Sequence, residues 1–302
     1  QYLPGGTIMR RALTNLARPS GALAMVAVDQ REALRGMFAA HQTEAVPDSQ
    51  LTQFKVDVAR ELSPYASALL VDQEFGLDAI VNAKALAPNC GLIAAADLLI
   101  GPAGGAATDT DVDPAVDPLR MKEIGSIGLK FLVLWRNDES VEQRKILVDR
   151  FNKLCEVSGL PSIIEVIVKP PLDSSKPFDR EEELITAAKE AANWSADLYK
   201  AEVPFHGEGD LTRITRNSER ISEAINGPWV VLSNGVKAPH FADAVTACAK
   251  GGASGFLAGR AVWADIVGAP DIPAALREVS IPRLEKLGEI VDTYARPWTD
   301  WK

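Results

Sequence analysis

Asp197-Leu198-Tyr199-Lys200-Ala201-Glu202-Val203-Pro204 is a short apolar run with a lysine at its centre and a proline at its end. A run of this length, stopped by proline, reads as a buried strand, and an ammonium group on its inner face is costly unless something uses it. Lys200 is therefore the first candidate for chemistry. An amine kept unprotonated by desolvation and a neighbouring cation attacks a carbonyl carbon and forms a Schiff base.

Working outward, the same kind of run recurs at Leu23–Val28, Ala68–Val71, Gly91–Ala95, Lys130–Trp135, Ile163–Val168, Trp229–Ser233 and Gly255–Ala258, which with Asp197–Glu202 makes eight. Between the runs lie segments of helical period. Asp48–Leu62 places Leu51, Phe54, Val58 and Leu62 at three- to four-residue spacing, and Val141–Ser158 is stopped by Gly159. Asp179–Trp194, Leu211–Ile225 and Ala238–Lys250 repeat the pattern, and Ile281–Ala295 supplies a last helix. Continuous apolar strands alternating with helices imply a parallel sheet covered by helices. Eight such units predict a single (β/α)8 barrel domain over residues 1–302. The rival is an open doubly wound sheet, against which the first run leads into Asp29-Gln30-Arg31 and not into a glycine-rich dinucleotide turn. Gly101–Asp117 and Pro170–Pro177 read as rim loops, and the tail Trp298–Trp301 reads either as a surface that packs on a neighbour or as ordinary packing within the chain.

Composition narrows the function. With 47% hydrophobic and 24% charged residues the chain has the balance of a soluble globular protein. No apolar run reaches the roughly 20 residues of a membrane span, and the region around Met9-Arg10-Arg11 lacks the apolar core of a signal peptide, so a cytoplasmic protein is expected. A formal charge of −9 argues against nucleic acid or an anionic membrane as partner, yet leaves room for a small anion held in one cleft. Cys90, Cys155 and Cys248 are far apart and read as reduced packing residues. His41, His206 and His240 show no ligand spacing, so no metal and no cofactor is expected.

In a barrel the working side chains stand at the strand ends. Asp29, Gln30 and Arg31 end the first run, Lys130 lies on the fourth, Glu165 on the fifth and Lys200 on the sixth. Two lysines facing one interior, with Glu165 on the strand between them, suit amine chemistry with proton transfer. A structural Lys–Glu pair capping the core is the other reading. Ser233-Asn234-Gly235 and Ala258-Gly259-Arg260 follow the last two runs, where barrels often bind phosphate through backbone N–H groups and one arginine. This makes Ser233, Gly235, Gly259 and Arg260 the phosphate candidates. Arg260 in a rim salt bridge is the alternative.

Several of these stretches also carry a resemblance. Ala27-Val28-Asp29-Gln30-Arg31-Glu32-Ala33, Leu69-Leu70-Val71-Asp72, Leu132-Val133-Leu134-Trp135-Arg136, Asp197-Leu198-Tyr199-Lys200-Ala201-Glu202 and Gly255-Phe256-Leu257-Ala258-Gly259-Arg260-Ala261-Val262-Trp263 resemble the class I aldolase family that includes tagatose 1,6-bisphosphate aldolase. Within it the chain is most similar to the sulfofructosephosphate aldolases of sulfoglycolysis, and the likeness runs from about Ala22 to Asp292. The resemblance implies a metal-free lyase in which Lys200 forms the Schiff base, with Asp29, Lys130 and Glu165 as its polar companions. It implies a sugar phosphate as partner, cleavage of 6-deoxy-6-sulfofructose 1-phosphate to dihydroxyacetone phosphate and 3-sulfolactaldehyde, and a homo-oligomer, dimer or tetramer. Gln30 and Arg31 are then the candidates for the sulfonate end, with Arg31 paired to Glu32 or another surface carboxylate as the alternative. Cleavage of tagatose or fructose bisphosphate, or sugar-phosphate binding without turnover, are the rival functions. His206, in Val203-Pro204-Phe205-His206-Gly207, departs from the residue type expected there.

Overall fold

Leu23, Met25 and Ala27 fall in one apolar cluster while Ala24, Val26 and Val28 fall in another, the signature of a strand buried on both faces. The computed structural model describes residues 10–301, and within it this strand is the first of eight that close into a parallel barrel. The strands are β1 (Leu23–Ala27), β2 (Ala68–Val71), β3 (Gly91–Ala95), β4 (Ser126–Trp135), β5 (Ser162–Val168), β6 (Leu198–Glu202), β7 (Trp229–Leu232) and β8 (Gly255–Ala258). Each pairs with its sequence neighbours, and β8 returns to β1 with Leu23 opposite Gly255, as a (β/α)8 barrel requires. The reading of residues 1–9 as lacking a signal-peptide core lies outside the described residues. Among the described residues no helix is long and apolar enough to cross a membrane.

Two cores follow from the alternation. One fills the barrel, where Leu23, Met25, Leu70, Ile93, Ile163, Leu198, Val230 and Leu257 meet; Leu13, Leu16 and the half-buried Trp298 pack with it. The other lies between the strands and the outer helices. Those helices begin and end on local signals. Ser140 Oγ accepts from Gln143 N–H to start Val141–Ser158, and Gly159 at φ +72° stops it. Asp179 and Asp210 cap Arg180–Ala191 and Leu211–Ile225 in the same way, so Asp179 precedes the helix rather than opening it. The three cysteines are free and buried, and burial pushes their thiols up to about 12.

Two segments differ from the sequence expectation, and the tail takes one of its two readings. β4 begins at Ser126, four residues before Lys130, because the register slips between Leu92 and Ile93 and lets the glycine-bearing stretch pair as a bulged strand. Gly101–Asp117 is not all loop. Asp109–Val112 pairs antiparallel with Asp97–Ile100, and the alternation of Thr110 and Val112 inward with Asp109 and Asp111 outward explains the pairing. The tail packs on its own barrel: Trp298 N–H donates to Gly21 O at 3.1 Å and Trp301 Nε1 to Ser254 Oγ at 3.1 Å.

Candidate active site

Following the inward positions up each strand, the aliphatic layer gives way to charge. Met25 and Ala27 lead to Asp29, Ile93 and Ala95 to Asp97, Ile163 to Glu165, and Leu198 to Lys200, with Lys130 inward on β4. Period-two geometry therefore stacks these side chains at one level above an apolar floor. Glu165 lies directly opposite Lys200 in the β5–β6 register.

The charged groups form one network. Lys200 Nζ donates to Glu165 Oε2 at 2.9 Å, and Lys130 Nζ lies 3.0 Å from that same oxygen. Lys130 also donates to Asp29 Oδ2 at 2.8 Å and to Asp97 Oδ2 at 2.9 Å. Asp97 accepts in addition from Leu132 N–H at 3.0 Å and from Arg31 Nη2 at 3.0 Å, while its carbonyl takes Arg31 Nη1 at 3.0 Å. Arg31, Lys130 and Lys200 thus balance Asp29, Asp97 and Glu165, all buried. Burial alone would lower the Lys130 ammonium, yet Asp29, Asp97 and Glu165 hold it well above the ordinary lysine range. Burial alone would raise the Asp29 carboxyl, yet Lys130, Lys200 and Arg31 hold it well below the carboxylate range. Arg31 is therefore not paired with Glu32 or another surface carboxylate: both terminal nitrogens donate to buried Asp97, while the residue lines the cleft.

Above the network opens a cleft of about 380 Å³. Asp29, Gln30, Arg31, Lys130, Glu165 and Lys200 line it from one side of the ring, and Ser233, Gly259 and Arg260 from the other. Gly259 is required by close approach, since a Cβ there would stand 2.5 Å from Ala27 O and 2.9 Å from Gln30 Nε2. Ser233 Oγ accepts from Ala261 N–H at 3.3 Å, and Arg260 donates to Asn234 Oδ1 at 2.7 Å, not to a carboxylate, which removes the rim salt bridge. Gly235, at φ +75°, shapes the turn but does not line the cleft. His206 packs against Gly235 from behind, on a left-handed stretch with Phe205 at φ 54° and His206 at φ 50°. It supports the turn, outside the cleft.

Three residues escaped the sequence reading. Asp97 stands two positions beyond Ala95, where the third apolar run stops, and the inward parity Ile93-Ala95-Asp97 was the available signal. Lys55, fully buried, donates to Val28 O and Gln30 O at 2.6 Å each and pairs with Asp72 at 2.6 Å, so it fixes the Asp29-Gln30-Arg31 turn. Its position between Leu51 and Val58 on the apolar helix face was the clue. Lys169 lines the cleft two positions above Ile167. The loop between the Asp97–Ile100 and Asp109–Val112 strands roofs the cleft and is latched by Gly104 N–H donating to Glu32 Oε2 at 2.7 Å. Among the described residues no cluster of three or more His, Cys, Asp or Glu side chains is arranged to hold a metal; the three carboxylates surround an ammonium.

An eight-stranded parallel barrel with a buried lysine–carboxylate network under its C-terminal rim defines an enzyme of the (β/α)8 class. The description "DeoC/LacD family aldolase" matches residues 23–265, and the chain belongs to that family of class I aldolases, which are lyases. It is 30% identical to tagatose 1,6-diphosphate aldolase of Streptococcus pneumoniae (strain ATCC BAA-255 / R6), over 96% of this chain and 97% of the relative. The corresponding protein of Staphylococcus haemolyticus (strain JCSC1435) is 28% identical over 95% and 96%. Among solved structures, fructose-bisphosphate aldolase of Plasmodium falciparum shares the fold at TM-score 0.65 and 14% identity, covering 93% of each chain. An archaeal fructose-1,6-bisphosphate aldolase, solved with its catalytic lysine bound to a carbinolamine intermediate, matches at TM-score 0.61 and 13% identity, covering 93% of this chain and 98% of that one.

Proposed function

We propose that the chain cleaves a ketohexose 1-phosphate through a Schiff base on Lys200, and that its substrate is 6-deoxy-6-sulfofructose 1-phosphate. The observation that carries the mechanism is the sharing of one Glu165 oxygen by Lys200 and Lys130, at 2.9 and 3.0 Å. Glu165 is within proton-transfer reach of Lys200 Nζ. It takes the lysine proton, the free amine adds to the C2 carbonyl, and Glu165 returns a proton to the carbinolamine hydroxyl as water leaves. Loss of the C4 hydroxyl proton then breaks the C3–C4 bond, and its electron pair passes to the iminium nitrogen to give an enamine and the aldehyde. Asp29, held below the carboxylate range, keeps a proton poorly and suits accepting a hydrogen bond from a substrate hydroxyl, while Glu165 is placed for the proton transfers by its 2.9 Å contact with Lys200 Nζ. Protonation of the enamine at C3 and hydrolysis release dihydroxyacetone phosphate and free Lys200.

Ser233, Gly259 and Arg260 suit the 1-phosphate, since Arg260 carries a charge that no carboxylate neutralises; Gly235 sets the turn they depend on. The sulfonated substrate rests on the motif likeness in the sequence. A second reading, tagatose 1,6-bisphosphate cleavage, is favoured by the relatives at about 30% identity that bear that name. Borohydride reduction during turnover followed by peptide mass mapping tests the mechanism: an adduct is expected on Lys200, and no adduct, or one on Lys130, refutes it. Steady-state rates with the two substrates test the specificity, and a preference for the bisphosphate refutes the sulfonate.

A further inference from the structure

The cations lining the cleft are Arg31, Lys130, Lys169, Lys200 and Arg260. Three are neutralised within the fold: Arg31 by Asp97, Lys200 by Glu165, and Lys130 by Asp29, Asp97 and Glu165. Arg260 touches a neutral amide beside the Ser233 turn. The Lys169 ammonium has neither an ion pair nor a hydrogen bond among the described residues. Its backbone is nevertheless fixed, for Lys169 N–H donates to Trp135 O at 2.8 Å. A half-buried lysine that lines a cleft just beyond a strand end, with nothing to pair with, is suited to an anion that arrives with a ligand.

Its place in the barrel says which anion. Glu165, Ile167 and Lys169 all line the cleft, as alternate residues of one strand do. Glu165 is level with Lys200, so Lys169 stands four residues, roughly 13 Å of strand, further toward the mouth, with its own long arm to reach back. Arg260 follows β8 and Lys169 follows β5, with β6 and its Lys200 between them on the ring. The two unneutralised cations therefore flank the reactive amine from different sides.

We infer that Lys169 binds the anionic group at the end of the substrate opposite the 1-phosphate and sets specificity for a monoanion there. This rests on the Schiff-base reading of Lys200. A single ammonium matches a sulfonate, whereas a second phosphate monoester carries nearly two negative charges at neutral pH. Arg31, committed to Asp97, positions the network beneath the substrate.

The test is the ratio of kcat/KM for 6-deoxy-6-sulfofructose 1-phosphate to that for fructose 1-phosphate, whose far end is an uncharged hydroxyl. In Lys169→Gln the ratio falls about ten- to a hundredfold, the size of one lost charge-assisted hydrogen bond, and the loss appears in KM more than in kcat. Lys169→Arg restores most of it. Turnover of fructose 1-phosphate by the same preparations reports folding and Schiff-base chemistry independently. A Lys200 adduct in borohydride together with an unchanged ratio overturns the assignment of Lys169 alone. Absence of the adduct in the parent protein overturns the mechanism, and this inference with it.

Discussion

Replacing Asp97 by asparagine probes how the network is held together. The Asp97 side chain is fully buried and makes two kinds of contact: Oδ2 faces Lys130 Nζ at 2.9 Å and Leu132 N–H at 3.0 Å, and Oδ1 faces Arg31 Nη2 at 3.0 Å. Asparagine keeps one acceptor and turns the other into a donor. Either orientation therefore sets an NH2 group against existing donors, and either leaves the three cations facing only Asp29 and Glu165. Stripping one partner from a buried ionic network costs about 3–5 kcal/mol, because the remaining charge is uncompensated. Arg31→Met removes a cation from the same site and is destabilising alone. Combined with Asp97→Asn it returns the network to Lys130 and Lys200 against Asp29 and Glu165. The double variant is then expected to be more stable than the summed singles by about 1–3 kcal/mol. Urea unfolding of the four proteins measures the cycle. Strict additivity, or an Asp97→Asn variant within about 1 kcal/mol of the parent, a loss ordinary for a mutation anywhere, refutes the account of Asp97 as the keystone of the charge balance.

Two further outcomes follow from particular contacts. Any side chain at Gly36 overlaps the Gly104 carbonyl, so Gly36→Ala should lift the roof loop off the cleft, speed amide exchange at Gly104 and raise KM several-fold; unchanged exchange at Gly104 would count against the latch. For pH, Asp29 titrates below its unfolded value of 3.8, so its stabilisation is present above that value and is lost as pH falls toward the folded one. Lys130 titrates above 10.5, so its stabilisation is present below that value and is lost only as pH rises through the higher folded one. The stability difference between the parent and Asp29→Asn should therefore be flat from about pH 5 to 9 and shrink in acid, and a step near neutrality refutes it.

The barrel was legible because its strands are buried on both faces and so appear as uninterrupted apolar runs, and because Gly159 marks a helix end by chemistry local to it. What was not legible depended on distant partners. Ser126–Leu129 reads poorly as strand because Gly125 precedes it and Gly128 falls inside it, and only the bulge opposite Leu92 and Ile93 makes the pairing good. The Trp298–Trp301 tail carries exposed-looking aromatics whose partners are distant in the chain, Gly21 nearly its whole length away and Ser254 47 positions away.

The same distinction runs through the site. Lys130, Glu165, Lys200 and Asp29 could be read from charge inside apolar strands, and the structure brings all four together. Spacing leaves Arg31 open between a ligand contact and a pair with Glu32 or another surface carboxylate, and its actual partner, Asp97, is 66 positions away. Charge neutralisation is a property of pairs, and a sequence displays only single residues. A cation committed to a buried carboxylate shapes the field of the site, whereas a cation without one is available to a ligand, and the two look alike in a chain of letters. Sorting the lysines and arginines of this cleft by whether the fold already neutralises them is what supports proposing Lys169, in place of Arg31, for the far end of the substrate and Arg260 for its phosphate. If that proposal holds, Lys200 works between two ligand-directed charges, and substrate choice turns on how much negative charge the Lys169 end accepts.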